Sequence, residues 1–343
     1  MKILVGISGG VDSAFAARRL LDEGHTVEGA VLKMHEYTEL DAARQCALSV
    51  GLSLHEIDCT ADFCQIKENF VNEYISGRTP NPCIICNERV KFARLYDYAM
   101  EHGFDAIATG HYAKIAEITK GDTTRYAVSM PEDLRKEQTY MLYRLPQHIL
   151  SHLVFPLASG TKPQIRALAA EQGIAAADRE DSQEICFLPE GNHTAYIESV
   201  AGKCREGDFI DPEGKVLGRH KGIIHYTVGQ RKGLGISLGE RVFVTDIDPE
   251  NNTVTLSPAV SGRSEIRITD MVYSGMAAPT AETTVTLDVK LRYTAPLISA
   301  SARLYPDGSA TLTFDTPQKS APGQSAVLYK NGVVMCGGFI AKN

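Results

Sequence analysis

The chain has 343 residues, 43% hydrophobic and 22% charged, with 35 Lys and Arg against 42 Asp and Glu for a formal net charge of −7. That length suits two or three folded units of about 150 residues each, and the composition is that of a packed globular protein, which excludes a disordered chain. No stretch approaches the roughly 18 apolar residues of a bilayer span, and the acidic balance excludes a surface coated in positive charge for indiscriminate nucleic-acid binding.

From Lys2 to about Ile115, short apolar runs alternate with amphipathic segments. KILVGIS precedes 12–23, TVEGAVLKM precedes 39–50, LSLHEID precedes 61–75, and 87–102 precedes DAIATGH. The β-α alternation predicts a doubly wound parallel sheet, hence an α/β N-terminal domain. Gly9, Gly10 and Asp12 cut the first apolar run too short for a secretory leader, so a cytoplasmic address and no membrane association are expected. Segment 140–173 reads as helical, with Leu145, Ile149 and Leu153 at helical spacing and Pro163 in the first turn of a second helix. After about residue 204, Gly, Pro and Asp recur every few residues and helical periodicity disappears. Two hairpins turn at Asp211-Pro212-Glu213-Gly214 and Asp248-Pro249-Glu250-Asn251, and two more at Asp307-Gly308 and Asn331-Gly332. The division expected is 1–203 for the α/β domain, 204–262 for a small β domain and 263–343 for a β-barrel.

Ser8-Gly9-Gly10-Val11-Asp12-Ser13 falls between the first strand and the first helix. A phosphate placed there meets unpaired backbone N–H groups and the positive end of a helix dipole, and two glycines let the backbone approach it. No G-x-x-x-x-G-K-[ST] is present, so this is not a Walker loop. The loop resembles the S-G-G-x-D-S of ATP pyrophosphatases, with Asp12 suited to a magnesium ion. Leu32 and Gly110 lie at carboxyl ends of strands, the edge at which parallel sheets bind ligands.

Eight cysteines in so long a chain are not a disulfide scaffold. Thr79 to Asn87 places Cys83 and Cys86 as C-x-x-C on a Pro-stiffened loop ahead of the helix from about 87, where a thiolate is stabilised. Cys186 lies in a second polar loop, DSQEICF. Three thiols suit a persulfide relay, in which one cysteine carries sulfane sulfur and another resolves it, or a [4Fe-4S] cluster with one open iron. The C-x-x-C alone also suits half a zinc site, with His111 as a further ligand, or a redox pair. Cys46, Cys59, Cys64, Cys204 and Cys336 read as core or surface residues.

Net charge conceals a local strip. Lys215 to Arg241 contains six basic residues, Arg231 and Lys232 among them, against Glu240 alone, leaving +5 there and −12 elsewhere. With His220, His225 and Tyr226 interleaved, the strip is expected to follow an RNA backbone while rings stack on unpaired bases.

SGGVDS, GRTPNPCIICN, ATGHYAK, RKEQTYMLY, DSQEICF, GKVLGRHKGIIHYTVGQRKGLGI, LRYTAP and APGQSAVLY, in this order over nearly the whole chain, resemble the tRNA-specific 2-thiouridylases. The resemblance implies an ATP-pyrophosphatase domain followed by two β domains. It also implies ATP-dependent replacement of the C2 oxygen of the wobble uridine of tRNA by sulfur, with release of AMP and pyrophosphate. By the same resemblance Cys86 is the nucleophile and Cys186 the persulfide cysteine. ATP contacts fall on Gly6, Ile7, Ser8, Gly9, Gly10, Val11, Asp12, Ser13, Leu32 and Gly110. Asn81, Pro82 and Cys83 face the target base, and His111, Lys136, Glu137, Gln138, Arg292, Tyr293 and Gln324 touch tRNA. The sulfur would come from a cysteine desulfurase or a sulfur-relay protein. One departure matters: many family members resemble N-P-D-x-x-C, whereas this chain has Cys83 in place of the aspartate, which brings in the cluster on Cys83, Cys86 and Cys186. Rival readings are another adenylating enzyme on the same loop, or a nucleotide-binding redox sensor. Residues 75–90 and 178–190 are expected to move on binding.

Overall fold

A computed structural model describes residues 1–174, 185–188, 192–259 and 262–342. Five parallel strands form the first sheet: β1 (Lys2–Gly6), β2 (Thr26–Lys33), β3 (Leu54–Asp58), β4 (Ala106–Thr109) and, after the antiparallel pair β5 (Lys114–Lys120) and β6 (Thr123–Ser129), β7 (Leu153–Val154). Their order, β3-β2-β1-β4-β7, reverses between β1 and β4. That reversal opens a crevice at the carboxyl edge, where doubly wound sheets bind ligands.

Helices cover both faces. α1 (Val11–Asp22) and α2 (Leu40–Ser49) pack Val11, Ala14, Ala43 and Ala47 against Ile3, Val5 and Val31 on one side. On the other, α3 (Thr60–Ile75) packs Phe63 and Phe70 into a core shared with Leu4, Ile107, Phe92 and Leu95.

The segment around the C-x-x-C differs from expectation. α4 (Pro82–Cys86) is already helical, five residues of π-helix follow over Asn87–Lys91, and α5 (Phe92–Glu101) continues without a break. Pro82 opens the first turn and Asn81 caps it by accepting from the Cys83 N–H at 3.2 Å, so both cysteines lie inside a helix rather than on a loop before it.

Segment 140–173 also differs. Prolines divide it into α6 (Thr139–Leu142), α7 (Gln147–Leu150) with Pro146 as N-cap, β7, a 3-10 turn from Pro156 and then α8 (Lys162–Glu171). Its apolar residues belong to several short elements whose buried sides coincide with helical spacing. α8 starts with the anticipated Pro163 and a Gln164 side chain that accepts from the Thr161 N–H at 2.8 Å.

Beyond α9 (His193–Ala201), a four-stranded sheet comprises β8 (Gly207–Ile210), β9 (Val216–His220), β10 (Phe243–Asp248) and β11 (Thr253–Ser257), in the order β10-β11-β8-β9. The final strands are β12 (Arg263–Tyr273), β13 (Thr283–Lys290), β14 (Ile298–Leu304), β15 (Ala310–Gln318), β16 (Ser325–Lys330) and β17 (Val333–Ile340). They follow the order β12-β15-β14-β13-β16-β17, and β17 pairs back onto β12, closing a six-stranded barrel. Closure removes exposed sheet edges.

The hairpin β5–β6 leaves the α/β domain and extends the barrel's sheet through Ser129 opposite Val333. Arg144 reinforces that junction: 5% exposed, it reaches Glu88 at 2.8 Å and Asp270 at 3.0 Å and lies over the Phe339 ring. The barrel is therefore seated directly against the helices that carry the cysteines.

Candidate active site

The loop between β1 and α1 is shaped by its own hydroxyls. Ser13 Oγ accepts from the Ser8 N–H at 3.1 Å and donates to the Gly10 carbonyl at 2.9 Å. Gly10 is the N-cap of α1 and supplies no side-chain acceptor, so the first-turn N–H groups keep their capacity for a phosphate. Gly9 has φ +83°, and a Cβ there would stand 2.8 Å from that of Ala42. Gly110, one residue past β4, would place a Cβ 2.7 Å from the Asp12 carbonyl carbon and the Ser13 nitrogen. Gly110 thus permits the close approach that sets the loop between β1 and β4. Leu32 is buried in β2, facing the core that contains Cys86.

Asp12 is engaged on both oxygens. Tyr112 Oη donates to Oδ1 at 2.9 Å and Lys162 Nζ to Oδ2 at 2.6 Å.

The thiols stand at the same edge. Cys86 is 7% exposed, with its sulfur 3.9 Å from that of Met34, just past β2. Cys83 and Cys186 reach solvent. The three are close enough that charge on Cys83 or Cys186 pushes the Cys86 pKa further up, though burial is the larger cause and carries it to about 12. Partial desolvation by the protein around them likewise raises Cys83 and Cys186, though each still touches solvent. The expected helix-terminus stabilisation of thiolate is thus outweighed by desolvation. Among the described residues no group of three or more Cys, His, Asp or Glu side chains stands in metal-holding geometry. His111 bonds to Thr109 through Nδ1 at 2.8 Å and is pushed down to about 3 by burial, so its ring is neutral at neutral pH.

Other sequence-predicted contacts divide into two groups. Arg292 is exposed and Tyr293 half-buried in the loop after β13, with the Tyr293 ring 6.2 Å from that of Tyr140. Gln324 Nε2 donates to the Thr79 carbonyl at 2.7 Å, tying the barrel to the chain just ahead of Asn81 and Pro82. Lys136 is half-buried. Gln138 Oε1 accepts from the Tyr112 N–H at 2.9 Å. Glu137 points inward: it is 5% exposed, bonded to Thr139 and ion-paired with Lys290 of β13 at 2.5 Å. Its place is the junction with the barrel, not the surface.

Within the basic strip, Lys215, Lys221, Arg231, Lys232 and Arg241 are exposed and form no ion pair among the described residues, while Arg219 pairs with Asp208 at 2.8 Å. Two of the three rings expected to stack on bases do not face solvent, while His225 is half-buried. His220 and Tyr226 are buried against Phe209, in edge contacts of 5.4 and 5.1 Å, and build the small domain's core.

With this geometry in view, three family models match in series: "tRNA methyl transferase HUP domain" over residues 1–190, "tRNA methyl transferase PRC-barrel domain" over 195–258 and "Aminomethyltransferase beta-barrel domain" over 263–340. The tRNA-specific 2-thiouridylase MnmA of Clostridium perfringens is 40% identical over 99% of this chain and 98% of its own length. That of Acetivibrio thermocellus is 40% identical over 99% of each. This chain belongs to the tRNA-specific 2-thiouridylase family. The Treponema denticola member, 38% identical over 99% of this chain and 98% of its own, extends the likeness beyond the clostridia.

Lys91, on the thiouridylase's π-helix, escaped the sequence reading. It is half-buried, and its charge pulls down the pKa of Cys83, Cys86, Cys186 and His111. Its backbone N–H also lowers that of Cys86. The π-helix begins at the residue after Cys86, and its wider turn brings residue 91 back over the thiol. Residue propensities have no signal for that insertion.

The buried thiol makes a pH prediction. With a pKa near 12, Cys86 of the substrate-free protein should react with iodoacetamide about tenfold faster per pH unit from 7 to 10, without levelling. Mass mapping of the alkylated cysteines, with exposed Cys64 as internal reference, checks this. A plateau for Cys86 below pH 9 would contradict the buried placement.

Proposed function

We propose that this chain converts the C2 carbonyl of the wobble uridine of tRNA to a thiocarbonyl, using ATP. The observation that carries the reading is the shared edge. The phosphate loop follows β1, and Met34, in contact with Cys86, follows the adjacent parallel strand β2. Neighbouring strands lie about 4.8 Å apart, so an activated base need not leave the site to meet sulfur.

The chemistry needs two activations. The C2 oxygen is a poor leaving group, so it first attacks the α-phosphorus of ATP. The bridging P–O bond breaks with its electron pair on pyrophosphate, and the N3 proton passes to solvent. First-turn N–H groups of α1 and the Ser8 hydroxyl hold the phosphates, while Ser13 fixes the loop that presents them. Asp12 is the residue suited to magnesium carried with ATP, which keeps waters and takes one or two carboxylates besides phosphate oxygens.

The terminal sulfur of a Cys186 persulfide then attacks C2, and AMP departs with the original oxygen. The Cys86 thiolate attacks the Cys186 sulfur of the resulting disulfide. The S–S electrons stay on the sulfur at C2, N3 recovers its proton, and a Cys86–Cys186 disulfide remains for an external dithiol to reduce. Exposure of Cys186 suits loading by a protein sulfur donor, such as a cysteine desulfurase or a relay protein. Lys91 supplies the positive charge that the Cys86 thiolate requires.

The unpaired bases of an anticodon loop are accessible without melting a duplex, and turning one out costs a few kcal/mol. Arg231 and Lys232 suit its phosphates, and Asn81, Pro82 and Cys83 suit the base. Among the described residues no helix is long and apolar enough to cross a membrane, and we place the enzyme in the cytoplasm with its tRNA.

Pyrophosphate release tests the reading against a redox sensor on the same loop. Release should depend on tRNA and stop when the anticodon loop lacks its wobble uridine. Equal release without tRNA would overturn it.

A further inference from the structure

Lys162 opens α8, 150 residues from the phosphate loop in sequence, yet its ammonium lies 2.6 Å from Asp12 Oδ2 in the first turn of α1. The residue is 6% exposed. Its position is fixed from both ends. Its backbone N–H donates to the buried Asp133 carboxylate at 3.0 Å, and its ammonium lies 5.9 Å from the centre of the Tyr112 ring, whose hydroxyl holds the other Asp12 oxygen.

An ion pair that buries an ammonium against a half-buried carboxylate is a poor source of stability, because desolvating the charges offsets most of their attraction. An apolar pair would hold α8 to α1 as well. The pair makes sense if one partner has another use. This loop lacks the lysine of a Walker motif, yet the reaction expels pyrophosphate and concentrates negative charge where Lys162 is held.

We propose that Lys162 is a catalytic residue of the adenylation step: when ATP enters, its ammonium exchanges Asp12 for the β- and γ-phosphates and stabilises pyrophosphate as it leaves. Asp12 is the resting counter-ion, which keeps the ammonium aimed at the loop in the absence of nucleotide. The ammonium retains its proton throughout. The electron pair of the broken P–O bond stays on pyrophosphate, which Lys162 receives by hydrogen bonding. This inference rests on the adenylation reading above.

The exchange predicts opposite effects from the two partners. Inorganic pyrophosphate binding to the full chain without magnesium is measured calorimetrically, alongside the KM for ATP in tRNA thiolation. Lys162→Met should weaken pyrophosphate at least tenfold and raise the KM for ATP, whereas Lys162→Arg should recover most of the affinity. Asp12→Asn, which removes this counter-ion, should tighten pyrophosphate several-fold. The double variant Asp12→Asn/Lys162→Met removes both charges of the pair, so it guards against a folding artefact, and it should lose that gain. If the double variant binds pyrophosphate as tightly as Asp12→Asn alone, Lys162 merely neutralises Asp12 and the proposal is wrong. If the unaltered chain thiolates tRNA but Lys162→Met leaves both measurements unchanged, the proposal fails while the adenylation reading stands. If the unaltered chain binds neither ATP nor pyrophosphate, that reading fails and the inference with it.

Discussion

Cys186→Ser should abolish thiolation, by at least about 100-fold, while leaving a burst of about one tRNA-dependent pyrophosphate per chain. The reason is the separation of the two half-reactions. Adenylation draws on the loop between β1 and α1 and on Asp12. Sulfur transfer draws on the thiols. Without the persulfide the activated uridine has no sulfur nucleophile, and turnover stalls after the first chemical step. Cys86→Ser should halt one step later, with the base attached to Cys186 through a disulfide that a reducing agent releases as 2-thiouridine. Quenched-flow pyrophosphate assays and nucleoside analysis with and without dithiothreitol separate the two. Steady pyrophosphate release by Cys186→Ser at the normal rate would show that sulfur transfer does not limit the cycle. Cys83→Asp carries a different expectation: activity within a few-fold of the unaltered chain, since the relay needs only Cys86 and Cys186.

Gly9→Ala should cost roughly 2–4 kcal/mol of stability and raise the KM for ATP by an order of magnitude. A non-glycine residue at φ +83° is strained by about 1–2 kcal/mol, and the added methyl would meet Ala42 on α2 at 2.8 Å. Because α2 is anchored in the core by Ala43, Cys46 and Ala47, the loop is the part that yields. Displacing it moves the N–H groups at Gly10 and Val11 away from the phosphates. Urea unfolding gives the first quantity and steady-state kinetics the second. An unchanged KM alongside the stability loss would mean that the loop does not grip the triphosphate.

Strand-scale features were legible. The alternation from Lys2 to Thr109 specified the parallel sheet, because buried strands and amphipathic helices leave periodic apolar patterns. The turns at Asp211, Asp248, Asp307 and Asn331 located four hairpins, because those residues suit tight turns. Less legible was anything set by long-range contact. Nothing local to 114–129 announces that this hairpin completes a sheet with Val333. The apolar run after Tyr140 satisfied a helical period while belonging to elements that Pro146 and Pro156 separate. Within the site, the phosphate loop and the cysteines stood out as motifs. Lys91 and Lys162 did not, since one depends on a π-turn and the other on α8 docking against α1. His220 and Tyr226 misled because aromatic residues among lysines suit both base stacking and the core of a small β domain, and burial decides between the two.

We propose that one sheet edge joins ATP-dependent activation to sulfur transfer on a single base. The most direct test is mass analysis of the nucleosides of tRNA incubated with the full chain, ATP, magnesium and a persulfide donor. One sulfur in place of one oxygen is expected, at C2 of the wobble uridine, only when ATP is present and only when both Cys86 and Cys186 are intact. Sulfur at another base, or at the wobble uridine without ATP, would contradict it.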